Sequence, residues 1–222
     1  MKRATGSSIA EGTAGTREDK RVDFKLKFDR VPIRDWLPSG WKDRFTGGAS
    51  GEIHWAGKNP KLESSTVQGS IRLRDGRVAG LPFLEKLASI TKKKSIERLE
   101  LNNCSLELTC NFPRAEIKNI AIEDKGKFRI EGSATINEKS LAGTIELGAA
   151  REYLEWLPKA GEVFTRDHDG YLWTTVHLSG TTEKPEQDLS LRILDVLKES
   201  PGALLGVFFR QMSDWLKKAF GE

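Results

Sequence analysis

The chain of 222 residues carries a net charge of +4, from 36 basic and 32 acidic residues, with 37% hydrophobic and 31% charged side chains. That balance fits a folded protein, excludes a disordered one, and lacks the large basic excess of a dedicated nucleic-acid binder, so no nucleic-acid partner is expected. No apolar run reaches the ~18–20 residues of a membrane-spanning helix, and the N-terminal stretch has no apolar centre of a secretory signal.

Residues 1–20, rich in Gly, Ser and Thr, read as a flexible leader. Val22, Phe24, Leu26 and Phe28 then alternate with Asp23, Lys25, Lys27 and Asp29, the period of a strand with one dry face. Val31 to Phe45 holds Pro32, Trp36, Pro38 and Trp41 and reads as a short helix or loop pinned by aromatics. Strands are expected near Gly51–Trp55 and through Val67, Gly69, Ile71 and Leu73, with Arg72 and Arg74 on the opposite face. Asp75-Gly76 carries a tight-turn signal. Leu81, Leu84, Leu87, Ala88 and Thr91 then fall at helical spacing up to Lys92-Lys93-Lys94, basic residues that complement the helix dipole.

From Ser105 to Leu147 the alternation is sustained. Leu106, Leu108, Cys110 and Phe112 share one parity; Ile120 and Ile122 resume it, as do Phe128, Ile130, Ala134 and Ile136, and finally Leu141, Ile145 and Leu147. Charged turns at Asp124-Lys125-Gly126 and Asn137-Glu138-Lys139-Ser140 divide the runs. This is the pattern of an antiparallel meander that is apolar on one face only. Tyr153, Trp156 and Leu157 form a helical turn stopped by Pro158, and a last strand runs from Tyr171 to Leu178. Beyond Asp188, Leu191, Leu194 and Leu197, then Leu204, Leu205, Phe208, Phe209, Met212, Trp215, Leu216 and Phe220, recur at helical steps, giving two amphipathic helices divided by Pro201-Gly202. The expected fold is α+β and β-dominated: a curved, trough-like antiparallel meander with a short helix and C-terminal amphipathic helices. Its parts are a leader over 1–20, a β-rich domain over 21–187 and a helical tail over 188–222.

Little in the chain points to chemistry. There is no phosphate-binding glycine loop and no nucleophile elbow. His54, His168 and His177 do not form a helical metal pair, and Asp167-His168-Asp169 reads as a solvated loop before Gly170. Cys104 and Cys110, six apart on one strand, sit ~20 Å apart, beyond the ~7 Å reach of a disulfide, and read as free, buried thiols. No enzyme activity, metal or cofactor is expected.

Three segments carry a family likeness: Gly69 to Ala88, a strand with a D-G turn and a leucine helix; the meander with Phe128 to Ile136 and Leu141 to Gly148; and Val176 to Leu189, with its L-S-G-T run and following Pro185. Together they resemble the C-terminal region of AsmA-like proteins of the Gram-negative envelope. The resemblance implies a periplasmic domain of a parent chain anchored in the inner membrane, built as an apolar-lined trough that guides phospholipid in outer-membrane lipid homeostasis, with no catalytic residues. Against the family pattern the chain is expected to be a truncated C-terminal piece of such a protein, without the anchor and most of the trough.

Candidates for the acyl-chain groove are Phe24, Phe28, Ile71, Leu73, Leu106, Leu108, Phe112, Ile120, Ile122, Phe128, Ile130, Ile145, Leu147 and Val176. Candidates for contact with a membrane surface or envelope protein are Phe208, Phe209, Arg210, Trp215, Lys217, Lys218 and Phe220, which mix aromatic and basic character. An open apolar groove favours lipid binding. A sheet fully capped by its own helices favours a structural or docking module, and two convergent carboxylates in a cleft would favour a hydrolase.

Overall fold

The computed structural model describes residues 6–14, 21–37, 39, 42–58, 64–80 and 82–198. The alternating segments form an open, curved antiparallel sheet of 12 strands. In chain order these are β1 (Ser7–Ala14), β2 (Val22–Pro32), β3 (Phe45–Gly57), β4 (Ser65–Ala79), β5 (Arg98–Leu101), β6 (Asn103–Asn111), β7 (Arg114–Asp124), β8 (Phe128–Asn137), β9 (Ser140–Ala150), β10 (Arg166–His168), β11 (Tyr171–Gly180) and β12 (Pro185–Gln187). Across the sheet the order is β1-β2-β3-β4-β6-β7-β8-β9-β11-β10, with β5 on β4 and β12 on β11. The helices are α1 (Pro82–Thr91), α2 (Ala160–Val163) and α3 (Leu189–Lys198), helped by short 3-10 turns at Ile33–Asp35, Lys94–Ile96 and Arg151–Tyr153.

The expected leader is corrected over its middle: β1 pairs with β2 from Ser7 opposite Asp29 to Ala14 opposite Val22. Its composition hides this because an edge strand over Phe24 wants small residues, and a Cβ added at Gly12 would meet the Phe24 ring at 2.9 Å. Neighbouring surface thus overrides low intrinsic β-propensity.

Asp75-Gly76 does not end a strand. β4 runs on to Ala79, and the register with β3 shifts between Thr46 and Gly48 as the two residues bulge. Asp75 has φ +53°, so the D-G pair supplies the left-handed backbone of a bulge instead of a hairpin. The same device recurs in β2 at Arg30, φ +53°, and in β7 at Asn119, φ +50°. Each bulge resets which residues face the core and adds local bend and twist, which is how this sheet curves. Past the β4 bulge the buried residues step from Leu73 to Gly76 and Val78.

One end of the strands is sealed. Phe28, Ala49, Leu73, Val78 and Leu101 pack with Leu84 and Ala88 of α1, Ile96 and Tyr153. Beside them Ala149, Leu154, Leu157, Val163, Phe164 and Leu172 pack with Ile193 and Val196 of α3. Phe128 touches both groups, its ring 5.4 Å from that of Tyr153. Full burial of side chains such as Ile96, 0% exposed, contributes about 1.5–3 kcal/mol each. The Asp124 carboxylate there is well satisfied, whereas the buried Arg192 Nε of α3 has no hydrogen-bond partner among the described residues. Buried Asp124 accepts from Lys127 Nζ at 2.8 Å and from the Glu100 N–H at 3.0 Å, while Lys127 also reaches the Ser95 carbonyl at 3.1 Å.

α3, the start of the expected tail over 188–222, packs on the sheet. Its buried side is Ile193 and Val196, whereas Leu191, expected on the apolar stripe, is 64% exposed. The expected second tail helix, with Phe208, Phe209, Arg210, Trp215, Lys217, Lys218 and Phe220, lies outside the described residues.

Candidate functional site

Because directly opposed residues point to the same face, the ladder register converts sequence parity into rows of side chains crossing the sheet. The outermost row runs Phe24, Trp55, Val67, Cys110, Ala115, Ile136, Leu141. The next runs Leu26, Ile53, Gly69, Leu108, Ile117, Ala134, Gly143, Leu178. A third passes from Phe28, Gly51, Ile71 and Leu106 to Ile120, Gly132, Ile145 and Val176. No side chain in these rows is charged.

Between β4 and β9 no member of the two outer rows joins either sealed cluster, and those side chains are half-buried. Six spacings of ~4.8 Å make the outermost row roughly 29 Å long, and the two outer rows, two residues apart along the strands, lie ~7 Å from one another. The Trp55 indole N–H in the outermost row is buried with no hydrogen-bond partner among the described residues, an unusual state for a buried donor.

The groove candidates divide between the two ends. Phe28, Leu73 and Val176 are buried, the first two in the sealed cluster, so they are core instead of groove lining. Ile71, Ile122, Phe128 and Leu147 pack against the sealed clusters and form the boundary. Phe24, Leu106, Leu108, Ile120, Ile130 and Ile145 are half-buried outside both clusters. Phe112 lines nothing: β6 ends at Asn111, and Phe112 sits 48% exposed in the turn to β7. Simple alternation carried it one step too far.

Sequence reasoning placed Val67 on the face of Ile71 and Leu73 but left it out of the groove candidates, as it did Ile53, Trp55 and Ile117. Ile117 and Ile120 are three apart, which breaks a period of two, yet they share the face because Lys118-Asn119 bulges between them. An Asn, which tolerates positive φ, was the available signal. Glycines also interrupt the rows. At Gly132, φ +154°, an added Cβ would run into the Thr144 carbonyl oxygen and lie 2.9 Å from the Ile145 Cα, so the strands approach there too closely for a side chain.

The remaining candidates fall on the polar side. His54 Nε2 lies 2.9 Å from Asp23 Oδ1, and the exposed His177 donates its N–H to Asp188 Oδ1 at 2.8 Å. The Asp167-His168 segment is not a loop: it is β10, where Asp167 pairs with Arg151 at 2.7 Å and the His168 ring stacks 4.8 Å from Trp173. Trp173 is only 2% exposed, donates to the His168 carbonyl at 3.0 Å, and has Arg129 5.8 Å over its ring. Beside it Tyr171 Oη accepts the Gly126 N–H at 2.8 Å and donates to Glu123 at 3.2 Å; burial pushes its phenol above the ordinary range, and Glu123 adds to the rise. Cys104 and Cys110 are free, and burial raises the Cys104 thiol. No group of three or more metal-ligating side chains occurs among the described residues. No described helix is long and apolar enough to cross a membrane.

Compared with protein families, curated proteins and solved structures, the chain matches none of them.

Proposed function

We propose that the chain is a non-catalytic, lipid-binding domain whose uncharged rows accept phospholipid acyl chains. The observation that carries this is the contrast along single strands, sealed by α1, α3 and the 151–165 segment at one end and lined by half-buried aliphatic rows at the other. A row roughly 29 Å long exceeds the ~15 Å half-thickness of a bilayer's hydrocarbon core, so an acyl chain fits lying across the strands. Apolar surface that a lipid withdraws from water contributes about 25 cal/mol per Å² before the cost of ordering the lipid. The likeness to the AsmA-like C-terminal region supports the same reading, and with it a periplasmic setting, a membrane-anchored parent chain and a part in outer-membrane lipid homeostasis. In this proposal Phe208, Phe209, Arg210, Trp215, Lys217, Lys218 and Phe220 contact a membrane surface or an envelope partner.

The sealed end supports a second reading, a structural or docking module with a closed core that contacts a protein partner or a membrane through its C-terminal helices. Native mass spectrometry of the purified chain separates the two. Lipid binding predicts adducts of phospholipid mass that Leu108→Asp removes and Glu107→Lys, on the opposite face, retains. A lipid-free chain that also fails to take up labelled phospholipid from vesicles rejects the lipid reading and leaves the docking one.

A further inference from the structure

The polar face of the same sheet holds a cavity of about 260 Å³ over β3, β4 and β6, closed on one side by the β7 bulge. Arg72 and Arg74 line it, with the hydroxyl-bearing Ser50, Ser70 and Ser105. Arg72 lies directly opposite Ser50 and Ser105 in the two ladders, and Arg74 lies opposite Gly48. Residues two apart on a strand stand on one face with Cα atoms ~6.6 Å apart, so the two guanidinium groups can reach one small ligand.

Glu107 lines the cavity too, so two guanidinium groups face one carboxylate there, and the nearby acids bond neutral donors. Asp29 Oδ1 accepts the Ser50 hydroxyl at 2.7 Å, and Glu107 Oε2 accepts the Asn119 amide at 2.9 Å. Neither Arg72 nor Arg74 has an ion pair among the described residues, although exposed Lys27, Arg77, Arg114, Lys118 and Arg151 all find acids. Two guanidinium forks facing serine hydroxyls suit an acceptor-rich, negatively charged group, which arginine binds in bidentate geometry. At ~30 Å³ per water the cavity has room for roughly eight or nine waters, enough for a tetrahedral oxyanion with part of its hydration.

We propose that Arg72 and Arg74 form an oxyanion-binding site for a phosphate group. It lies on the opposite face from the acyl-chain rows and stands or falls independently of them. The phosphate can be free or can belong to a lipid headgroup. The test titrates inorganic phosphate into the full chain at low salt by calorimetry, with amide NMR shifts followed at Ser50, Ser70 and Ser105. In parallel, the chain is sedimented with phosphatidic acid vesicles. Both arms are repeated on Arg72→Gln/Arg74→Gln. Saturable phosphate binding weakened at least tenfold in the double variant, with shifts confined to the cavity, supports a free-phosphate site. Vesicle binding without free-phosphate binding, lost in the double variant, assigns the phosphate to a headgroup. Absence of both, or equal binding by the double variant, overturns the proposal. Should the double variant fail to fold, wild-type shift changes that avoid the cavity also overturn it.

Discussion

The two ends of the same strands treat one apolar face in opposite ways. Where β2 ends and β3 begins, Phe28, Ala49 and Leu73 lie under α1, the Ile96 turn and Tyr153, and are all but removed from water. Some six residues further along, Phe24, Trp55, Val67 and Cys110 continue the face with the same chemistry yet stay half-buried outside both clusters. Side-chain type is alike at both ends. What differs is the chain that returns over them, so apolar alternation reports a face and not what covers it.

The comparison predicts unequal sensitivity to mutation. The largest effect belongs to the buried ion pair at the sealed end. Asp124→Ala removes the acceptor of the Glu100 N–H and the counter-charge of Lys127, which keeps only the Ser95 and Arg98 carbonyls, and should lower unfolding free energy by about 3–5 kcal/mol in a denaturant titration. Ile96→Ala should follow at about 2–5 kcal/mol, because a fully buried aliphatic side chain leaves a cavity. Ile136→Ala, in the outermost row, should cost less than ~1 kcal/mol, since its site is already half open to water. Equal losses at Ile96 and Ile136 would break the comparison and show that the outer rows are covered as tightly as the sealed end.

Smaller effects sharpen the boundary. Gly132→Ala should cost about 1–3 kcal/mol despite lying in the uncovered region, because the added Cβ meets the β9 backbone. A neutral outcome would mean that β8 and β9 separate more readily there than the register implies. The subtlest readout is the Cys104 thiol, raised by burial at the edge of the sealed cluster. Thiolate is the reactive form, so its alkylation in the folded protein should need a higher pH than in denaturant. The unfolded chain releases that proton first, so stability should fall as pH rises past the free-thiol value of ~8.5. Coincident folded and denatured alkylation profiles would place Cys104 on the open side.

The meander from β6 to β9 and its dry face were legible in sequence because a strand's period of two is a property of the backbone, and Leu106, Leu108, Ile120, Ile122, Phe128, Ile130, Ile145 and Leu147 obey it locally. Phe112, Ile117 and the Asp75-Gly76 pair were misread or missed because a bulge or a strand end shifts parity through ladder geometry with a neighbouring strand, not through the residue's own type. β1 was hidden for a similar reason: small residues become a strand when Phe24, Leu26 and Phe28 lie alongside them. By itself the sequence determined which side chains avoid water. Tertiary structure alone decided that α1, α3 and the 151–165 segment fold back over one end of the strands, and that Arg72 and Arg74 meet three serines on the other face. Both depend on contacts between segments distant in the chain.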